Sequence, residues 1–204
     1  MFAFIGLMAS AASAQVVFNG VQTSIAGGFN QPTGVAVDPG GNVYGIVLGG
    51  NQQLKFSLQA DGTYAQSSIG SGLGFPSSVA IDANGNLFIP DTYHNTVVEL
   101  SPSGGGYTQT TLTLNAGGGP LGIAVDRSGN LYVANPSENA VYLETPAGGS
   151  TYNMSTVASG LGSGGPFGVA VDANGNVFIA DTGNNQVLME TPAGGGSSAI
   201  RRRR

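Results

Sequence analysis

Four carboxylates recur along the chain at near-constant spacing: Asp38, Asp82, Asp126 and Asp172 stand 44, 44 and 46 residues apart. Acids that converge about a pseudo-fourfold axis can hold a hard cation through oxygen ligands. The competing role is local. Each Asp precedes a turn signal, and Asp and Asn side chains commonly bond the backbone two or three residues on. Because the same turn follows every copy, the turn role is preferred and no metal site is expected. The Asp-x-x-Gly-Asn string is not an EF-hand loop either, since it lacks the other acids and the distal Glu. Asp91, Asn135 and Asp181, which begin a second turn of the repeat, take the same reading.

The remaining candidates are few. His94 is the single histidine and there is no cysteine, so a typical zinc site with three or four N, S or O ligands is excluded. As a general base His94 needs a partner, and only Asp91 and Tyr93 are close in sequence; an exposed turn position is the preferred reading. Glu144 and Glu190 align with Phe56 and Leu100 on a third strand. A position that alternates between charged and apolar is expected to lie partly exposed near a rim. The Gly117 to Gly119 and Gly162 to Gly165 runs are hinges, not phosphate loops, because no Lys-Ser/Thr follows and no helix begins after them. No catalytic residue, metal ligand or cofactor is therefore expected.

The elements that would position these groups repeat with the acids. Pro32, Pro76, Pro120 and Pro166 keep the same spacing, as do Asn42, Asn86, Asn130 and Asn176. Gly168 to Asp172 is a short run of small and β-branched residues, suited to a strand where backbones crowd together. Asn174-Gly175 is a hairpin signal, because Gly takes the positive φ of the turn without a Cβ clash. The segments Leu87 to Ile89, Leu131 to Ala134 and Val177 to Ala180 are apolar on both faces, as strands covered on both sides are. A second turn, a third strand and a polar, Thr-rich fourth strand complete the unit, as in Tyr107 to Leu114. No copy shows the i, i+3, i+4, i+7 pattern of a helix. Four short strands per repeat of about 44 residues predict a propeller blade.

Composition narrows the function. Of 204 residues only 8% are charged, and six basic against eleven acidic residues give a net charge of −5. Four of the basic residues are Arg201 to Arg204, so Lys55 and Arg127 alone remain to meet phosphates. That argues against a nucleic-acid partner. Phe2 to Met8 is a short apolar core followed by Ala12-Ser13-Ala14, an A-x-A cleavage pattern, although no basic residue precedes Lys55. Residues 1–14 therefore read as a leader directing the protein to a secreted or periplasmic location, too short for a membrane span.

The string from Pro166 to Val187, Pro-x-Gly-Val-Ala-Val-Asp-x-x-Gly-Asn-Val-Phe-Ile-Ala-Asp-x-x-Asn-Asn-x-Val, resembles the NHL repeat. The resemblance extends over residues 16–192. It departs in the first copy, where Gly45 to Gly50 replaces the second turn, and in the third, which has Asn135-Pro136 there. What the resemblance implies is a β-propeller, most often six-bladed, that binds proteins, RNA or other ligands. The relatives also include lyases and lactonases with metal in the channel. Four repeats are fewer than such proteins usually carry.

The expected architecture is all-β: a propeller of four NHL-like four-stranded blades, closed by the N-terminal strand or forming an open part of a larger ring. The leader is placed at 1–14 and the propeller at 15–196. Repeats lie near 32–75, 76–119, 120–165 and 166–192, residues 15–31 supply a closing outer strand, and 197–204 form a disordered Arg tail. Up-and-down tracing brings the loops before the first strand and between the second and third strands to one face. There Phe75, Tyr93, His94, Leu121 and Phe167 are expected to form a binding surface for a protein or small ligand. The alternatives are a lactonase- or lyase-like enzyme and a structural segment of a longer array.

Overall fold

The computed structural model describes residues 22–114 and 117–192, together with the backbone of 201–202. They form an all-β propeller of four blades, each a four-stranded antiparallel sheet whose strands pair in chain order. Blade 1 holds β1 (Pro32–Val37), β2 (Val43–Val47), β3 (Gln52–Leu58) and β4 (Tyr64–Ser68). Blade 2 holds β5 (Ala80–Ile81), β6 (Leu87–Asp91), β7 (Thr96–Ser103) and β8 (Gly106–Leu112). Blade 3 is built from β9 (Gly122–Val125), β10 (Leu131–Asn135), β11 (Ala140–Gly148) and β12 (Thr151–Ser159). Blade 4 contains β13 (Pro166–Val171), β14 (Val177–Asp181), β15 (Gln186–Thr191) and the two-residue β16 (Arg201–Arg202). The only helical pieces among the described residues are 3-10 turns at Pro136–Glu138 and Thr182–Asn184.

The core lies between blades, which is why the second strands are apolar on both faces. β6 and β10 are buried at every residue. Tyr44 and Ile46 of blade 1 pack on Val79, Leu87, Ile89, Val98 and Leu100 of blade 2. Phe88 and Val97 of blade 2 meet Ile123, Leu131 and Val133 of blade 3. Tyr132, Ala134 and Val141 of blade 3 meet Val177 and Ile179 of blade 4. One set of repeat positions thus forms the back face of each blade, and a second set forms the front face of the next.

Innermost strands approach most closely, and the small residues there have a steric reason. A Cβ on Gly34 would lie 2.9 Å from the Ser78 Cα, and one on Gly122 would lie 2.4 Å from the Phe167 carbonyl oxygen. The expectation for Glu144 and Glu190 is overturned: both are buried. Their places opposite Leu131 and Val177 in the ladder are interior in every copy, so each Glu replaces a core residue. It does not mark a solvated rim.

The ends of the chain bear partly on the expected closing strand. Residues 15–21 and most of 197–204 lie outside the described residues. Residues 22–31 contain no strand; Ala26 and Phe29 pack instead on Val47, Leu54 and Phe56 of blade 1. The outermost pairing of blade 4 is Arg201 with Thr191 and Arg202 with Glu190.

Candidate functional site

The recurrent acids are consumed by their own turns. Asp82 Oδ1 accepts the backbone N–H groups of Asn84 (2.8 Å) and Asn86 (2.9 Å), and Oδ2 accepts the Asn86 amide (2.9 Å). Asp126 does the same with Ser128 and Asn130, and Asp172 with Asn174 and Asn176. In blade 1 Asp38 accepts both nitrogens of Asn42 and the Tyr44 hydroxyl (3.0 Å). Among the described residues no group of three or more His, Asp or Glu side chains could hold a metal ion.

These bonds make a stability prediction. Asp82→Ala is expected to lower unfolding free energy by about 1 kcal/mol, read by urea denaturation, as a neutral-to-charged hydrogen-bond set is lost at a part-exposed turn. Hydrogen bonding from Asn176 holds the Asp172 carboxyl below its usual pKa. At Asp38 burial works upward, but the bonds from Asn42, Tyr44 and Gly40 outweigh it and the net shift is also downward. A lowered folded-state pKa contributes stability that is complete above the unfolded value of about 3.9. It is lost as pH falls through the folded value, so the turns should weaken only in acid.

The second turns build the other end of each blade. Asp91 is buried; its Oδ1 accepts the Gly74 N–H (2.9 Å) and its Oδ2 lies 2.8 Å from the His94 Nδ1. The His94 side chain is half-exposed, and the buried Asp91 carboxylate orients its ring. The Tyr93 ring stands edge-on to His94 at 5.2 Å. Asp181 repeats the plan in blade 4, accepting from Asn184 (2.9 Å) and Gln186 (2.7 Å), while Asn135 donates to the Gly117 carbonyl in blade 3.

Loops of neighbouring blades touch one another around these residues. The Tyr93 N–H donates to the Gly74 carbonyl (3.0 Å), beside Phe75. The Thr92 hydroxyl reaches the Pro120 carbonyl (2.7 Å) and the Ser77 hydroxyl reaches that of Leu121 (2.7 Å). Phe167 follows on blade 4, its carbonyl against Gly122. Tyr93 is 77% exposed, Phe75 and Phe167 are half-exposed, and Leu121 is partly covered.

A clasp between blades escaped the sequence reading. Asn51, Asn95, Asn139 and Asn185 all take left-handed backbone, as do the pre-proline residues Gln31, Phe75, Gly119 and Gly165. Asn51 Oδ1 accepts the Phe75 N–H (3.1 Å), and Asn95 Oδ1 accepts the Gly119 N–H (2.7 Å). In the longer third loop Asn139, with its amide turned to satisfy both groups, donates to the carbonyls of Gly162 (2.9 Å) and Leu161 (3.2 Å). The signal was present as an Asn at one position in all four copies. Its role was hidden because its partner is backbone in the next repeat.

Residues 164–188 match the NHL repeat. The chain is a four-bladed β-propeller that carries an NHL repeat in its fourth blade. No curated protein matches it. Among solved structures, this chain is similar to a catalytically inactive virginiamycin B lyase from Staphylococcus aureus solved with quinupristin. The two share 17% identity and a TM-score of 0.64, over 84% of this chain and 54% of that one. It is also similar to a gluconolactonase from Xanthomonas campestris (17% identity, TM-score 0.62, 78% and 58% covered). A third similarity is to an auxiliary nutrient binding protein from Bacteroides thetaiotaomicron (14%, TM-score 0.66, 84% and 40% covered). At such identities the likeness is one of fold. The chain spans about half the length of the solved structures it matches first. No described helix is long and apolar enough to cross a membrane.

Proposed function

We propose that this propeller is a non-enzymatic binding scaffold, exported from the cytoplasm, that engages a protein or small ligand through its Phe75, Tyr93, His94, Leu121 and Phe167 face. The observation that carries this reading is the backbone of Phe75. A residue before proline avoids left-handed geometry, and a non-glycine residue there is strained. Phe75 nevertheless has φ 57° ahead of Pro76. The Asn51 side chain and the Tyr93 turn hold it there, and the ring stands half in solvent. Rigid aromatic side chains on a rim of Gly, Ser and Asn suit a partner surface, because little rotamer freedom is lost on contact. The leader at residues 1–14 supports an envelope or extracellular setting, where such a partner would be met.

One observation favours a lyase- or lactonase-like second reading: the His94 ring is oriented by a buried carboxylate, the arrangement a general base needs. The test separates the two. Immobilised protein and a Phe75→Ser, Tyr93→Ala variant are offered the envelope fraction of the source organism. The wild type is expected to retain a partner that the variant loses. Equal capture, or capture by neither, removes the binding reading. Lactone hydrolysis that disappears in His94→Ala replaces it with the enzyme.

A further inference from the structure

The third strands carry a different residue at one position in every copy. Lys55, Glu99, Leu143 and Met189 stand opposite Tyr44, Phe88, Tyr132 and Phe178 in the ladders. Leu143 packs on the cluster between blades 3 and 4, and Glu99 accepts the Ser101 hydroxyl (2.9 Å). Lys55 does neither. It is partly buried, and its ammonium lies 5.7 Å from the Tyr44 ring centre and 5.8 Å from that of Tyr107. No described carboxylate pairs with it. Two aromatic rings attract a cation, but they leave its charge unneutralised.

The neighbouring hydroxyls do not supply the missing anion. The Tyr107 hydroxyl donates to that of Tyr44 (3.1 Å), which donates to Asp38 Oδ2 (3.0 Å). Burial, with these hydrogen bonds, pushes the Tyr44 pKa well above that of an ordinary phenol, so Tyr44 stays neutral. Lys55 and Tyr107 instead line a cleft of about 310 Å³ together with Pro102 and the Gly104 to Gly106 turn. Small-molecule sites begin at roughly that volume. Gly104 and Gly105, with φ 56° and 86°, form the two-residue turn between β7 and β8. Neither N–H donates in any described hydrogen bond. A Cβ on either glycine would meet nothing within 4 Å, so no other part of the chain covers the turn.

We propose that this cleft binds a small monocarboxylate, with its oxygens on the Lys55 ammonium and the Gly104 and Gly105 N–H groups. Its body rests against Pro102 and the Tyr107 ring. An ammonium and backbone amides only donate, so they call for an acceptor, and the charge calls for an anion. One ammonium neutralises one charge. The Asp38 carboxylate, at the end of the hydroxyl chain, opposes a second, which favours a carboxylate over a phosphate. The Ser103 to Gly106 turn closes the end of β7 away from the His94 turn. The cleft is therefore separate from the Phe75 and Tyr93 face and stands without it.

Amide NMR spectra of the 204-residue chain titrated with benzoate provide the test. The Gly104 and Gly105 amides are expected to shift saturably. Lys55→Met keeps the length of the stem and removes the charge, and should weaken benzoate binding by at least about tenfold. Lys55→Arg should retain it. Benzamide, the neutral isostere, should leave both amides in place, and inorganic phosphate should bind more weakly than benzoate. The Phe75→Ser, Tyr93→Ala variant should bind benzoate as the wild type does, so failure of the loop-face reading and failure of this one are told apart. Lys55 is partly exposed, and amide shifts far from the cleft report that each variant is folded. An absence of saturable shifts at the two glycines, equal binding by Lys55→Met, an equal response to benzamide, or phosphate bound as tightly as benzoate overturns the proposal.

Discussion

Phe88→Ala is expected to destabilise the protein by about 3–5 kcal/mol, the usual loss when a fully enclosed aromatic leaves a cavity. The same substitution at Phe178 should cost about 1 kcal/mol or less. The two residues occupy one repeat position, on the second strand of blades 2 and 4. Phe88 is 3% exposed and packs with Ile123, Leu131, Val133 and Tyr152 at the joint between blades 2 and 3. Phe178 is 36% exposed, with no described blade packed on that face. The residue type and the first-strand partner, Ala80 or Ala170, are the same for both, while the third-strand partners are Glu99 and Met189, so the difference reports chiefly the neighbouring blade. Urea denaturation measures it. Equal losses at the two positions would mean that blade stacking contributes little, contrary to the buried clusters between sheets.

That contrast also shows what a single sequence can carry. The hairpin turns were legible because their chemistry is local: Asp126 bonds atoms two and four residues away. The blade itself was legible from the alternation of turn signals with apolar runs, repeated at one period. The pairing of His94 with Asp91 lay within three residues and was named as its one local option beside Tyr93. Glu144 was misread because burial is a property of the neighbouring sheet. Only the ladder, which sets it opposite Leu131, shows that the position is interior. Val35 and Val79 are the same residue in the same motif, and one is exposed while the other is core. No local pattern distinguishes them, since the difference is whether a described blade packs against the residue. The Asn clasp was hidden for a related reason: Asn95 bonds a backbone amide 24 residues away, and backbone donors leave no compositional trace.

Gly122→Ala is expected to be strongly destabilising for a single added methyl group. The added Cβ would sit 2.4 Å from the Phe167 carbonyl oxygen and 3.2 Å from the Gly168 Cα. Both are backbone atoms of the next blade, which cannot rotate away as a side chain would. Relief requires blades 3 and 4 to move apart, which opens the cluster holding Tyr132, Ala134, Val141, Val177 and Ile179. Overpacking that forces backbone shifts costs about 1–3 kcal/mol, and the upper end applies where two inner strands touch. Gly106→Ala is the control, since its Cβ would meet only the Ser103 carbonyl oxygen at 3.8 Å. That exposed strand position should change stability by no more than about 0.5 kcal/mol. Thermal unfolding of both variants decides it. A Gly122 variant as stable as the Gly106 control would show that the blades are not in backbone contact at the axis, and the close approach of β9 and β13 would be wrong.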